Sequence, residues 1–290
     1  MSKYIFILGV GRSGTSFLGE LVSTTTSPIR FISEPFPGIP TLKNSQYLDS
    51  SFIRPDDKKR IESTCQTIKK LTDSDSLIED PSFRIKRNEE NANTLVIKEV
   101  HGLLAFPAIH KALNAKTIVI TRNTLKSIDS HFSGPQKKRT YLIEEYNYIR
   151  KLLKKKQQSR NVYLDNTIDH LSPRCAAYFK RPKLFTTTVA RQACITELLR
   201  QYLIAWTEKG KSTLHVTYED LCLKPIEHSK RILNFMDLAN NEKTISDIKK
   251  LTTDSNKGYY ATNKISKEIL EREYRFLSSK DIQKLNALIM

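Results

Sequence analysis

The sequence predicts an α/β fold: a single domain built on a parallel central β-sheet flanked by helices, with a P-loop-like phosphate-binding loop after the first strand. Three observations carry that prediction. Short apolar runs alternate with segments of helical spacing, the signature of βαβ units. The first run, Tyr4-Ile5-Phe6-Ile7-Leu8, leads directly into Gly9-Val10-Gly11-Arg12-Ser13-Gly14-Thr15-Ser16. Apolar residues at helical spacing resume at once, over Phe17 to Val22. A strand, a glycine-rich turn and a helix start make an anion cradle. The glycines let the backbone approach the ligand, and the helix start offers free N–H groups and partial positive charge.

Taken in order, residues 4–25 read as strand, loop and helix. Residues 26–93 read as irregular and polar, with the turn-rich Glu34-Pro35-Phe36-Pro37-Gly38-Ile39-Pro40 and a helix around 55–71. Thr94 to Val100 is a second strand, and a helix follows around 103–113 with Pro107 near its first turns. Lys116 to Thr121 is a third strand, followed by Arg122 and a helix over about 124–131. The segment 137–160 is strongly cationic. Tyr141, Leu142, Tyr146, Ile149 and Leu153 fall near helical spacing within it, so it reads as an amphipathic helix with a basic face. Residues 161–185 read as loop-rich. A long helix covers about 187–209, with Trp206 read as core, and Thr213 to Tyr218 is a fourth strand. A helix over 219–237 is broken or begun at Pro225; a further helix, a loop over 254–263 and two short helices complete the chain. No linker or repeat is visible. Residues 1–290 therefore read as one domain, with an insertion at about 35–93 and a helical region at about 135–185.

In such folds ligands bind beyond the C-terminal ends of the strands. That rule puts the loop 9–16, Glu34, Lys98 to His101 and Arg122 on one rim. The loop departs from the nucleoside-triphosphatase pattern G-x-x-x-x-G-K-[ST]. Thr15 stands at the lysine position, and the cation of the loop is Arg12. Arg122 just past a strand and Ser130 on the next helix make a second phosphate site, an arginine fork joined by a hydroxyl.

The chain has 290 residues, 39% of them hydrophobic, a composition that supports a globular core. No window approaches the length of a membrane-spanning helix. The first strand begins almost at the N-terminus, leaving no room for a signal peptide. Cys65, Cys175, Cys194 and Cys222 show no metal-ligand spacing and read as reduced thiols of a cytoplasmic protein. A formal net charge of +17 implies an anionic partner or a solvated basic surface. There is no aromatic–basic RNA motif, zinc spacing or helix-turn-helix, which argues against nucleic acid.

The loop, the Arg122/Ser130 pair eight residues apart, and Val216-Thr217-Tyr218-Glu219-Asp220-Leu221 together resemble the sulfotransferases that use 3′-phosphoadenosine 5′-phosphosulfate (PAPS). The resemblance covers 4–34, 94–134 and 200–238. Arg12 in place of lysine and the Glu34-Pro35 step are similar to the carbohydrate and tyrosylprotein branches. The resemblance implies PAPS as co-substrate, no metal, and a hydroxyl-bearing acceptor, which the basic segment 137–160 would suit if anionic. It implies that Gly11, Arg12, Ser13, Gly14, Thr15 and Ser16 hold the 5′-phosphosulfate, and that Arg122 and Ser130 hold the 3′-phosphate. Tyr218 would lie beside the cofactor. Asn256-Lys257-Gly258 keeps only the Lys-Gly of the family's late Arg-Lys-Gly element, which brings in Lys257.

Three residues enter as candidates for the chemistry. Lys98 would reach the sulfonate. Glu34 is the first candidate for the general base, because Pro35 fixes its direction. His101 is the rival base, although Lys98-Glu99-Val100-His101 is one residue longer than the small-molecule branch's spacing. In a strand that extra residue would turn its side chain to the other face. A nucleotide-dependent kinase-like phosphotransferase is the alternative function, opposed by the missing lysine.

Overall fold

The computed structural model describes residues 3–35, 53–73, 87–88, 92–133, 142–155, 162–180, 188–208, 210–253 and 270–290. Its centre is a six-stranded sheet. The strands are β1 (Lys3–Leu8), β2 (Arg30–Ser33), β3 (Arg87–Asn88), β4 (Thr94–Glu99), β5 (Lys116–Thr121) and β6 (Thr213–Thr217). They lie in the order β3-β2-β4-β1-β5-β6. Five strands run parallel, and β3 pairs antiparallel to β2 at one edge. The predicted parallel sheet with flanking helices is therefore present, enlarged at one end.

Alternation along the strands builds two cores, one on each face. Ile5, Ile7, Val96, Ile118, Ile120 and Val216 face one side. There they meet α1 (Thr15–Ser23), α9 (Tyr218–Leu223), α10 (Pro225–Phe235) and α11 (Glu242–Thr253). Phe6, Leu8, Leu95, Ile97 and Val119 face the other side. That layer holds α2 (Lys58–Asp73), α3 (Phe106–Leu113), α4 (Thr124–Phe132), α5 (Ile143–Lys155), α6 (Val162–Asp169), α7 (Pro173–Lys180), α8 (Thr188–Thr207) and α12 (Ser279–Ile289). A 3₁₀ turn over Leu103–Ala105 precedes α3, and Pro107 sits at its start, where a missing N–H costs little.

Two readings are corrected. Residues 26–93 are not wholly irregular, because Arg30-Phe31-Ile32-Ser33 forms β2 between β3 and β4. The run was too short to stand out, yet Phe31 and Ile32 are buried on opposite faces as a strand requires. Residues 161–185 are not mainly loop: they contain α6 and α7. Ser172-Pro173 is a helix-start signal, with the Ser172 hydroxyl accepting from the Cys175 N–H at 3.2 Å. The loop expected over 254–263 and residues 137–141 and 156–160 of the basic segment lie outside the described residues.

No described helix is long and apolar enough to cross a membrane. Among the described residues no group of three or more His, Cys, Asp and Glu could hold a metal ion.

Candidate functional site

The loop between β1 and α1 lies at the C-terminal rim of the sheet. Its left-handed positions are Arg12 (φ 70°) and Gly14 (φ 101°), not Gly11. For a non-glycine residue this conformation costs on the order of 1 kcal/mol. Strain at an arginine in the middle of an anion cradle marks a position where the side chain matters more than backbone comfort. Gly14 is required twice over, since a Cβ there would lie 2.2 Å from the Tyr218 ring as well as in a disfavoured φ. Gly9 lets β1 end against β5, where a Cβ would approach the Ile120 carbonyl to 2.5 Å.

Several donors in this loop fit an anion. Gly14 is the N-cap of α1 and supplies no side-chain cap, so the first-turn N–H groups need an outside acceptor. Ser13 is buried, and its hydroxyl has no hydrogen-bond partner among the described residues. A buried hydroxyl without a partner is costly, and an anion seated on the loop would satisfy it. Thr15 is buried beside it and Ser16 is exposed.

The second phosphate candidate is physically joined to the first. Arg12 Nε donates to the Ser130 hydroxyl at 3.3 Å, and Arg122 Nη1 donates to the Arg12 carbonyl at 3.4 Å. Tyr218 is the platform under both. Its ring lies under Gly14, meets Phe17 edge-on at 5.9 Å, and carries the Arg122 guanidinium 4.6 Å from its centroid. Only 6% of Tyr218 is exposed. Burial raises its pKa, while Arg122 opposes the rise. The ring thus positions the loop and Arg122 from below.

Glu34, Lys98 and His101 also come together. Lys98, with 2% of its side chain exposed, pairs through Nζ with Oε1 of Glu34. The backbones are tied too: the Glu34 N–H donates to the Lys98 carbonyl at 2.7 Å. This follows from β2 lying beside β4, with Ser33 opposite Lys98. Glu34 itself has φ 55°, a second strained non-glycine residue on the rim. β4 ends at Glu99, so strand alternation no longer governs His101, and the expectation that it turns away does not hold. Its titration responds to both Glu34 and Lys98, which places it within electrostatic reach of the pair. Burial is the largest influence and pushes its pKa down. Glu99 is buried beneath this group and accepts from the Val100 and His101 N–H groups at 2.8 and 3.0 Å.

Three supports escaped sequence reasoning. Glu219 accepts from the Asn123 N–H at 3.0 Å, fixing the turn after Arg122. Glu197 of α8 accepts from Thr124, from Arg200 through two bonds and from Gln201. Asp129, next to Ser130, accepts the N–H groups of Arg275, Phe276 and Leu277 at 3.0, 2.7 and 2.9 Å. An acidic residue inside the helix signature after Arg122 was visible, but its partner lies about 146 residues away. Lys257 lies outside the described residues.

Fold and rim together define an α/β protein in which two candidate anion sites are joined by the Arg12–Ser130 bond. A family model for the sulfotransferase domain matches residues 2–285, and the chain belongs to that family. No curated protein matches it by sequence. Among solved structures it resembles a mouse sulfotransferase, SULT7A1, complexed with PAP, at 13% identity. That match covers 99% of this chain and 83% of that one, with a TM-score of 0.45. A sulfotransferase domain from the curacin biosynthetic pathway matches at 15% identity over 99% and 97% of the two chains, TM-score 0.48. A sulfotransferase from Alicyclobacillus acidocaldarius matches at 14% identity over 82% of each chain, TM-score 0.42.

Proposed function

We propose that this protein transfers a sulfonate group from PAPS to the hydroxyl of an acceptor, with Glu34 as general base. The observation that carries the reading is the joined pair of anion sites: Arg12 bonded to Ser130, and Arg122 bonded to the Arg12 carbonyl. A nucleotide phosphorylated at both the 5′ and 3′ positions needs two anion sites held in fixed register, and a triphosphate-dependent kinase does not.

In this reading the first-turn N–H groups of α1 and the Ser13 hydroxyl hold the 5′-phosphate, with Thr15 and Ser16 beside them. Arg122 and Ser130 take the 3′-phosphate. Arg12 sits between the two and neutralises charge on the departing phosphate. The acceptor oxygen gives its proton to Glu34 and attacks sulfur as the bond from sulfur to the phosphate oxygen breaks. Lys98, buried and already paired with Glu34, supplies positive charge to the sulfonate oxygens. The protein's contribution is positioning and charge neutralisation, which governs this class of transfer as it does phosphoryl transfer. His101 is the alternative base. Burial favours its neutral form, the form that accepts a proton.

The test combines binding and transfer. Adenosine 3′,5′-bisphosphate should raise the melting temperature, and radiolabelled sulfate should pass from PAPS to at least one of four acceptor classes: sugars, tyrosyl peptides, phenols and lipids. Arg12→Ala and Arg122→Ala should each weaken bisphosphate binding by at least about tenfold, given loss of a charge-assisted contact. Absence of both stabilisation and transfer would overturn the proposal.

A further inference from the structure

We propose that Arg150, Arg191 and Tyr146 form an anion-binding subsite for a carboxylate, sulfate or phosphate group carried by the acceptor; this rests on the sulfonate-transfer reading above. The three residues meet where α5, α7 and α8 pack. Tyr146 is 3% exposed, stacks on Phe179 of α7, and its hydroxyl has no hydrogen-bond partner among the described residues. Arg191 of α8 places its guanidinium carbon 5.9 Å from the Tyr146 ring centroid. Arg150 follows Tyr146 by one helical turn on α5 and so shares its face. The Nε atoms of Arg150 and Arg191 are both buried and have no hydrogen-bond partner among the described residues.

Three buried donors without acceptors among the described residues therefore lie around Tyr146, two of them cationic. Native proteins rarely leave such groups unsatisfied, and unpaired buried donors call for an acceptor. Among the described residues no acidic side chain is recorded in that role. Glu197 on α8 is engaged by Arg200, Gln201 and Thr124. Glu145 titrates in response to burial, its own backbone and Glu144, not to either arginine. Both guanidinium charges are felt at Tyr146, where they oppose the upward push of burial.

The position suits an acceptor. α8 runs against the direction of the strands. Trp206, near its end, packs on His110, which bonds Thr117 near the start of β5. Glu197 reaches Thr124, just beyond the end of β5. Arg191 lies six residues earlier, about 9 Å further along the helix axis and past the rim. An acceptor whose hydroxyl reaches Glu34 from that side would bring a second group toward the two arginines, and a net charge of +17 favours an anionic one.

The test first fills the nucleotide site with adenosine 3′,5′-bisphosphate, then compares sodium sulfate with sodium chloride at equal ionic strength by thermal shift. Sulfate should stabilise the wild type beyond chloride, and this excess should vanish in Arg150→Gln/Arg191→Gln while the exposed-site control Lys151→Gln keeps it. Two acceptor pairs follow: a tyrosyl peptide flanked by aspartates against its asparagine counterpart, and a uronate-containing disaccharide against its uronamide. The double variant should raise KM for the charged member of the active pair at least tenfold, leave kcat within twofold, and spare the neutral member. Arg150→Lys/Arg191→Lys should recover part of the loss. Equal effects of sulfate and chloride in the wild type would overturn the subsite. A sulfate effect with equal changes for charged and neutral acceptors would make it a site for free anions and overturn the acceptor assignment. If neither pair is turned over, the sulfate titration decides. Failure of the bisphosphate itself to stabilise the protein is read separately, before sulfate is added, and counts against the nucleotide reading alone.

Discussion

Glu34 carries two constraints that pull in different directions. Its φ of 55° is uncomfortable for any residue with a Cβ, yet its side chain neutralises a lysine that is 2% exposed. Removing one partner of such a pair leaves an uncompensated charge, at a cost of about 3–5 kcal/mol. Glu34→Gln keeps an oxygen facing Lys98 but cannot take a proton. It should lower kcat by more than about 100-fold, the usual scale for loss of a general base, while bisphosphate binding stays within about threefold. His101→Ala should cost less than about tenfold. A reversal of those two magnitudes in steady-state kinetics would make His101 the base. Its depressed pKa then predicts an activity limb below about pH 6.5 that His101→Asn abolishes. The placement of loop residues 11–16 and of Arg122 and Ser130 was readable in the sequence because it is local, set by a turn and by one helix. The convergence of Glu34, Lys98 and His101 was only half readable. It depends on β2 docking beside β4 and on β4 stopping at Glu99.

At the scale of elements, α4 is the hinge pin of the site. It begins at Thr124, two residues after Arg122, carries Ser130, and holds the chain near the C-terminus through Asp129. Three backbone donors on one carboxylate form charge-assisted bonds, each worth more than a neutral one. Asp129→Ala should destabilise the protein by about 3–5 kcal/mol, from the loss of charged hydrogen bonds and the donors left behind. Hydrogen exchange should rise first in residues 270–290, and bisphosphate affinity should fall because Ser130 is the adjacent residue. Unchanged exchange there would show that α12 is held by its apolar residues Leu285 and Leu288 alone. The anchoring of the tail was not visible beforehand, since an Asp within a helix reads as a surface residue until the tail folds back on it.

For the molecule as a whole, Glu145 couples stability to pH. It is 3% exposed on α5, and burial raises its pKa from 4.5 to about 7. Between those values the unfolded chain ionises while the folded protein keeps the proton. Stability is therefore highest below about pH 4.5 as far as this group is concerned, and it is lost as pH rises through about 7. The full swing is on the order of 3 kcal/mol at 1.36 kcal/mol per pKa unit. Denaturant titrations at pH 5 and pH 8 should show that loss in the wild type and little of it in Glu145→Gln.

The sequence by itself determined the sheet's four longest strands, the strand–loop–helix unit around residues 9–16, the strand–helix step that carries Arg122 and Ser130, and the family. Each rests on residues within about 15 positions of one another, where strand period, helix spacing and turn chemistry act directly. Tertiary structure alone decided the rest. β2 was admitted to the sheet because β4 offered an open edge and both cores could bury its faces. Arg12 met Ser130, Glu34 met Lys98, and Asp129 met the C-terminal segment across separations of 118, 64 and 146 to 148 residues. Contacts of that range exist only once the two cores have closed, because it is hydrophobic burial, not local preference, that brings those rims together.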